Sequence, residues 1–328
     1  MTAPTTPGAV QPEASRDVSG AAPGLTRTEW LVERRKGIGG SDIAAILGLS
    51  DYRTPLQVWL DKVHGDDEVD RPEWEWGRRL EDVVARKWAD EHPDITVYAA
   101  PQLIWDGVEP IAFASPDRLL SGGGVLELKT ADSRVAHRWD DEQVPDEYLM
   151  QLQWYLGVTG AQRGWIACLI GGRRYVERHV ERDDRLINAM RERAAKWWAD
   201  HVEALVPPPA TPPDDDRFMA RAYPASERTE VTLDADTLAL VEDARSIKGV
   251  IDNLADDHAR KVTLIKERLG AATDGLGPDG EPLVTWRPRK GSTRVDTRRL
   301  RDEYPDLYTA LATEGEPTRT FRLIDPRD

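Results

Sequence analysis

The stretch Ala114-Ser115-Pro116-Asp117-Arg118-Leu119-Leu120-Ser121-Gly122-Gly123-Gly124-Val125-Leu126-Glu127-Leu128-Lys129-Thr130 decides how this chain is read. Two apolar runs flank a glycine-rich turn, the pattern of a β-hairpin. Strand side chains alternate faces, so Glu127 and Lys129 point one way while Leu126 and Leu128 point the other. Asp117 stands where the first strand begins and reaches the same end of the sheet. Two carboxylates and an ammonium thus converge beside a buried sheet. Converging acids are costly unless a cation joins them, and a hard divalent ion with oxygen ligands is the usual solution. Alone, the triplet also fits a hairpin with one solvated face; the rest of the chain decides.

Its 328 residues suffice for one large domain or two ordinary ones. With 40% hydrophobic and 31% charged residues it has a soluble globular composition. No apolar run approaches the roughly 20 residues that span a bilayer, and no secretory signal pattern opens the chain. The single cysteine, Cys168, excludes a disulfide framework and suits a reducing cytoplasm. It lies in an apolar run and is expected to be a packing residue. The net charge of −15 argues against a protein coated by nucleic acid over its whole surface. It does not argue against one whose basic groups line a channel.

Residues 1–24, rich in Ala, Pro, Thr and Gly, are expected to be a disordered tail. Thr26 and the acid that follows suit the start of a short helix. In Arg34-Arg35-Lys36-Gly37-Ile38-Gly39-Gly40-Ser41-Asp42-Ile43-Ala44, a glycine loop enters a helix expected to be capped by Ser41, with Gly48 at its end. Helix-start N–H groups, a hydroxyl and nearby arginines can hold a phosphate; an ordinary capped helix is the alternative. Residues 73–92 carry Leu80, Val84 and Trp88 on one helical stripe, and Glu81 leans toward it. Strands are expected at 95–98, 102–105 and 111–114, before the hairpin. A helix over 146–158 carries Gln151, which either packs quietly or orients water and phosphate. Strands at 165–170 and 175–180 and a helix over 183–206 complete an α/β or α+β unit around a mixed sheet.

The run Pro207-Pro208-Pro209-Ala210-Thr211-Pro212-Pro213 opens a stiff linker over 207–224. In the extension over 225–328, Leu240, Ala244, Ile247, Ile251 and Leu254 step by four and three. That seam suggests a long helix that pairs with another, in the same chain or a neighbour; His258 and Lys261 interrupt it and argue against a long coiled coil. From Arg287 to Arg301 there are seven basic residues and one acid, Asp296, either a solvated face or a contact to DNA phosphates with Trp286 beside it.

In this order, Arg34 or Arg35 with Ile38-Gly39-Gly40-Ser41-Asp42-Ile43-Ala44, Trp76-Gly77, Glu81, Pro116-Asp117, Glu127-Leu128-Lys129 and Gln151-Leu152-Gln153-Trp154-Tyr155 resemble the YqaJ-type viral recombinases. These are relatives of phage lambda exonuclease within the PD-(D/E)XK nuclease superfamily. The resemblance implies a restriction-endonuclease-like core over 25–206, and the segment beyond the linker resembles the extension of phage members. It implies a 5′→3′ exonuclease on double-stranded DNA, dependent on Mg²⁺ with Mn²⁺ as a substitute. Such an enzyme releases 5′-mononucleotides and leaves a 3′ strand for a phage annealing protein. By the same resemblance Asp117, Glu127, the Leu128 carbonyl and Glu81 would hold metal, and Lys129 would orient or deprotonate water. Gln151 would position water or phosphate, and Ser41 with Arg34 or Arg35 would hold the 5′-phosphate. A trimer in the bacterial host cytoplasm is the implied assembly. The alternatives are a superfamily nuclease of other polarity, such as a RecB-like enzyme, or a DNA-binding protein that has lost activity. One cysteine cannot build the four-cysteine cluster common in the former, and the intact Asp117, Glu127 and Lys129 argue against the latter.

Overall fold

The computed structural model describes residues 24–65, 72–140, 142–223, 230–291, 295–313 and 319–324. The tail expected over 1–24 therefore lies outside the described residues except for Gly24. The chain divides into two compact units, Met1–Tyr223 and Pro224–Asp328.

The first unit opens with helices α1 (Arg27–Arg34), α2 (Gly40–Ile46), α3 (Pro55–His64) and α4 (Pro72–Glu91). Thr26 and Glu29 close a reciprocal capping box on α1, so the threonine start is observed. Strands β1 (Val97–Ala99), β2 (Ile104–Trp105), β3 (Phe113–Ala114), β4 (Arg118–Leu120) and β5 (Gly124–Ala131) follow. A 3₁₀ segment, Ser133–Trp139, leads to α5 (Asp146–Thr159), β6 (Arg163–Ile170), β7 (Arg174–Glu181) and α6 (Asp184–Trp197). The three early strands are shorter than the alternation predicts, and β2 and β3 pair with each other outside the main sheet. The helix expected to run to 206 gives way at Trp198 to a π-helical segment ending at Glu203.

The main sheet has the order β1-β4-β5-β6-β7, with β5 and β6 parallel and every other pair antiparallel. It is a mixed α/β fold, as expected. Gly122 and Gly123, at φ 77° and 81°, make the turn between β4 and β5, a conformation that disfavours side chains with a Cβ. Leu126 and Leu128 pack against Val84, Ala85 and Trp88 of α4 on one face. Val125, Ile166 and Cys168 join Leu152, Trp154 and Leu156 of α5 in the larger core on the other. Cys168 is fully buried and its thiol is pushed up to about 12 by burial, consistent with a packing role.

Two expectations are corrected. Ser41 does not cap α2: Gly39 is the cap residue, and the Asp42 carboxylate accepts the Gly39 N–H at 3.0 Å. Ser41 is instead an exposed residue of the first turn. Nor is 207–224 a free linker, since its described part belongs to the first unit. Asp215 is fully buried, accepts from the Thr54 hydroxyl at 2.6 Å and the Gln57 amide at 3.2 Å, and Ala222 enters the core. A short helix, α7 (Met219–Ala222), ends this segment.

The second unit contains α8 (Ala235–Leu269), a hairpin of β8 (Asp274–Leu276) and β9 (Pro282–Thr285), and helices α9 (Thr297–Glu303) and α10 (Pro305–Leu311). The long helix expected around Leu240 to Leu254 is present. Among the described residues no helix is long and apolar enough to cross a membrane.

Candidate active site

The β4–β5 register sets Arg118 opposite Leu126, so Asp117 falls opposite Glu127. The Leu128 N–H donates to Asp117 Oδ2 at 2.6 Å, which fixes that carboxylate against the strand. Glu127, 3% exposed, faces α5 because Leu126 and Leu128 occupy the opposite face. Its Oε1 accepts from Lys129 Nζ at 2.7 Å and from Gln151 Nε2 at 2.6 Å. Lys129 Nζ also donates to Gln151 Oε1 at 3.1 Å, and Tyr155 Oη completes the Gln151 amide at 3.0 Å. Carboxylate, ammonium and amide form a closed triangle.

Glu127 Oε2 is buried and has no hydrogen-bond partner, an unsatisfied acceptor of the kind an ion or water fills. Burial and the charge of Asp117 push the Glu127 carboxyl up to about 8. Glu81, on α4, is pushed up to about 7 by burial and again by Asp117, while burial raises Asp117. Burial pulls the Lys129 ammonium down, but Glu127 and Asp117 outweigh it and the net shift is upward. Lys129 is thus a firm cation. Three acids resisting ionisation around one lysine form a site short of positive charge. Among the described residues, no three His, Cys, Asp or Glu side chains form a metal cage on their own. Glu81 couples to the cluster through its charge and makes no hydrogen bond to it.

Lys129 and Gln151 of this triangle line a cleft of about 860 Å³, together with Arg34, Ser41, Arg53, Trp76, Glu81 and Tyr148, among others. Gly40 brings the start of α2 to this cleft: a Cβ there would stand 2.7 Å from the Tyr155 ring and 2.8 Å from Gln151, so α2 and α5 approach this closely only with glycine. Beneath it Asp42, fully buried, accepts from Lys62 at 2.7 Å, Arg53 at 3.1 Å and Arg34 at 3.4 Å. Burial works against its charge, but the three cations hold its carboxyl far below the usual range. Asp42 therefore positions the arginines, a role the sequence reading missed although Asp42 stood in the quoted motif.

Of the expected site residues, Asp117, Glu127, Leu128, Lys129 and Gln151 come together, and Glu81, Ser41 and Arg34 line the same cleft. Arg35 is not among the residues that line it, and it ion-pairs with Asp61 at 3.7 Å. Arg53, 11 residues beyond Asp42 and outside any motif, also lines the cleft, and it pairs with both Asp42 and Asp61.

A profile described as YqaJ-like viral recombinase domain matches residues 29–162. The uncharacterized protein YqaJ of Bacillus subtilis (strain 168) is 32% identical over 298 residues, covering 88% of this chain and 92% of that protein. The chain belongs to the YqaJ-like viral recombinase family. An alkaline exonuclease (LHK-Exo) from Laribacter hongkongensis is similar in structure with a TM-score of 0.48 and 20% identity, over 61% of this chain and 100% of that one. A phage-related exonuclease from Haemophilus somnus 129PT gives a TM-score of 0.41 and 11% identity, over 52% and 96%. The matched YqaJ-like segment contains every site residue named above.

Proposed function

We propose that this YqaJ-like chain is a Mg²⁺-dependent exonuclease that digests double-stranded DNA from a 5′ end. It releases 5′-mononucleotides and leaves a 3′ strand for an annealing protein. The observation that carries the reading is the Glu127–Lys129–Gln151 triangle, whose Lys129 and Gln151 line an open cleft and whose Glu127 keeps one buried carboxylate oxygen unsatisfied.

The donor set fits a hard divalent ion: Asp117, Glu127 and Glu81 carboxylates with the Leu128 carbonyl, all oxygen. Mn²⁺ suits the same donors. Bound there, the ion would supply charge stabilisation at a scissile phosphate and ease ionisation of water. The other roles belong to the chain. Lys129, held as a cation, favours orienting water or a phosphoryl oxygen over accepting a proton. Gln151 anchors both Glu127 and Lys129 through one amide, so a shift of α5 would misplace both. Arg34 and Arg53, aligned by Asp42, and the exposed Ser41 offer a cationic corner for a terminal 5′-phosphate. A cleft rather than a flat face suits a duplex end or a single strand entering it. A homo-oligomer with its acidic surface outward and work in a host cytoplasm complete the reading.

The test uses linear duplexes with 5′-phosphate or 5′-hydroxyl ends, with Mg²⁺ or EDTA, beside an Asp117→Ala variant. Mg²⁺-dependent mononucleotide release that requires Asp117 and prefers the 5′-phosphate is expected. Release unaffected by the substitution sinks the proposal, and release from the 3′ end refutes the polarity.

A further inference from the structure

The second unit presents a feature that digestion does not use. The helix α8 runs 35 residues, about 52 Å at 1.5 Å per residue, and none of its residues is buried. Its seam, Leu240, Ala244, Ile247, Ile251 and Leu254, stays open: Leu240 is 68% exposed and Leu254 63%. His258 and Lys261, expected to interrupt the seam, do not break the helix. Because the helix is continuous to Leu269, steps of four, four, three and four carry the seam from Leu254 through His258 to Val262, Ile265 and Leu269. That is a heptad pattern with one four-residue insertion, which unwinds a supercoil locally without ending it. Lys261 falls outside the seam and pairs with Asp257 one turn earlier.

We propose that α8 is a self-association element: the α8 helices of two copies of this chain pair in parallel along this seam. Charge pattern selects both partner and direction. Taking Ala244 and Ile251 as a positions, and Leu240, Ile247 and Leu254 as d positions, Asp243 is a g residue and Lys248 an e residue. In a parallel pair each g residue meets the partner's e residue five positions on, so Asp243 meets Lys248 twice. In an antiparallel pair seating Ile251 against Ile247, Asp243 would face Asp257 and Lys248 would face Lys248. Like charges oppose that arrangement. A self-complementary seam is what a second copy supplies. Its Leu, Ile and Val side chains represent on the order of 600 Å² per helix. With the flanking Val250, 55% exposed, it reaches about 700 Å², against the roughly 800 Å² per partner of a stable interface. Of the described C-terminal residues, Ile324 meets α8 off the seam, its carbonyl accepting from Arg245, a b-position residue.

The experiment uses the full chain and reads α8 directly, so association through the first unit does not obscure it. The Ile251→Cys variant, at a seam position, and the Asn253→Cys variant, on the outer face, are exposed to a mild oxidant at several protein concentrations. Disulfide-linked dimer is expected to form at least tenfold faster in Ile251→Cys, at a rate that rises with concentration. Adding Lys248→Asp to Ile251→Cys should slow linkage about tenfold, and adding Asp243→Lys as well should restore it. Circular dichroism checks that α8 remains helical in each variant. Equal rates at the two positions, no concentration dependence, or indifference to the charge reversal overturns the proposal. The last two outcomes would assign the seam to another part of the chain or to a different protein.

Discussion

Replacing Glu127 with Gln tests the electrostatic account of the site without reference to any substrate. Glu127 titrates near 8 in the folded chain against an ordinary 4.5, so the folded state binds a proton that the unfolded state has released. Where the folded state binds more protons, stability falls as pH rises. The loss starts above pH 4.5, continues to about pH 8, and is then complete. At about 1.36 kcal/mol per pH unit, this corresponds to a few kcal/mol, most of which develops between pH 5 and pH 8.5. Gln cannot ionise, and its Oε1 can still accept from Lys129 and Gln151. In EDTA, the Glu127→Gln variant should therefore match the wild type within about 1 kcal/mol at pH 5. At pH 8.5 it should exceed the wild type by about 2–4 kcal/mol. Urea unfolding followed by tryptophan fluorescence measures this, since every tryptophan except Trp286 belongs to the first unit. Added Mg²⁺ should stabilise the wild type and leave the variant nearly unchanged, because the ion favours the ionised carboxylate. Parallel pH profiles for the two chains, or a variant less stable at pH 8.5, would refute the reasoning.

Lys129→Ala should lower the turnover of duplex DNA by roughly 10²–10⁴ while the far-ultraviolet circular dichroism stays unchanged; a smaller loss would deny Lys129 a place in the chemistry. Asp42→Ala strands Lys62 beside Arg34 and Arg53, and denaturant unfolding should register a loss of about 3–5 kcal/mol. Asp215→Ala removes the common acceptor of Thr54, Gln57 and the Thr211 N–H. It should cost about 1–3 kcal/mol and speed proteolysis within 207–223; an unchanged digestion pattern would mean that this contact does not hold the segment. Arg53→Ala should raise KM for 5′-phosphorylated duplex far more than for 5′-hydroxyl duplex, and equal effects on both would remove Arg53 from phosphate recognition.

The amino-acid sequence alone determined the elements whose period is strong and local. Alternation around Gly122 and Gly123 marked the hairpin and assigned Glu127 and Lys129 to one face, because a strand's side-chain period permits no other arrangement. Stripes at helical spacing located α4 and α5, and with them Glu81 and Gln151. What the sequence left open depended on partners distant along the chain. The closure of Gln151 onto Glu127 spans 24 positions and exists only because α5 crosses the β5 face. Asp42 looked like one more polar residue at a helix start; burial beneath three cations from two other segments made it the anchor of the cationic corner. Arg53 joined the cleft for the same reason, since no local pattern says which guanidinium will reach Asp42 from 11 positions away. Proline content announced a linker at 207–224, yet one buried carboxylate, Asp215, was enough to dock its described part. Local periodicity fixes which face a residue joins, while charge pairing at long sequence separation is settled only when the layers close.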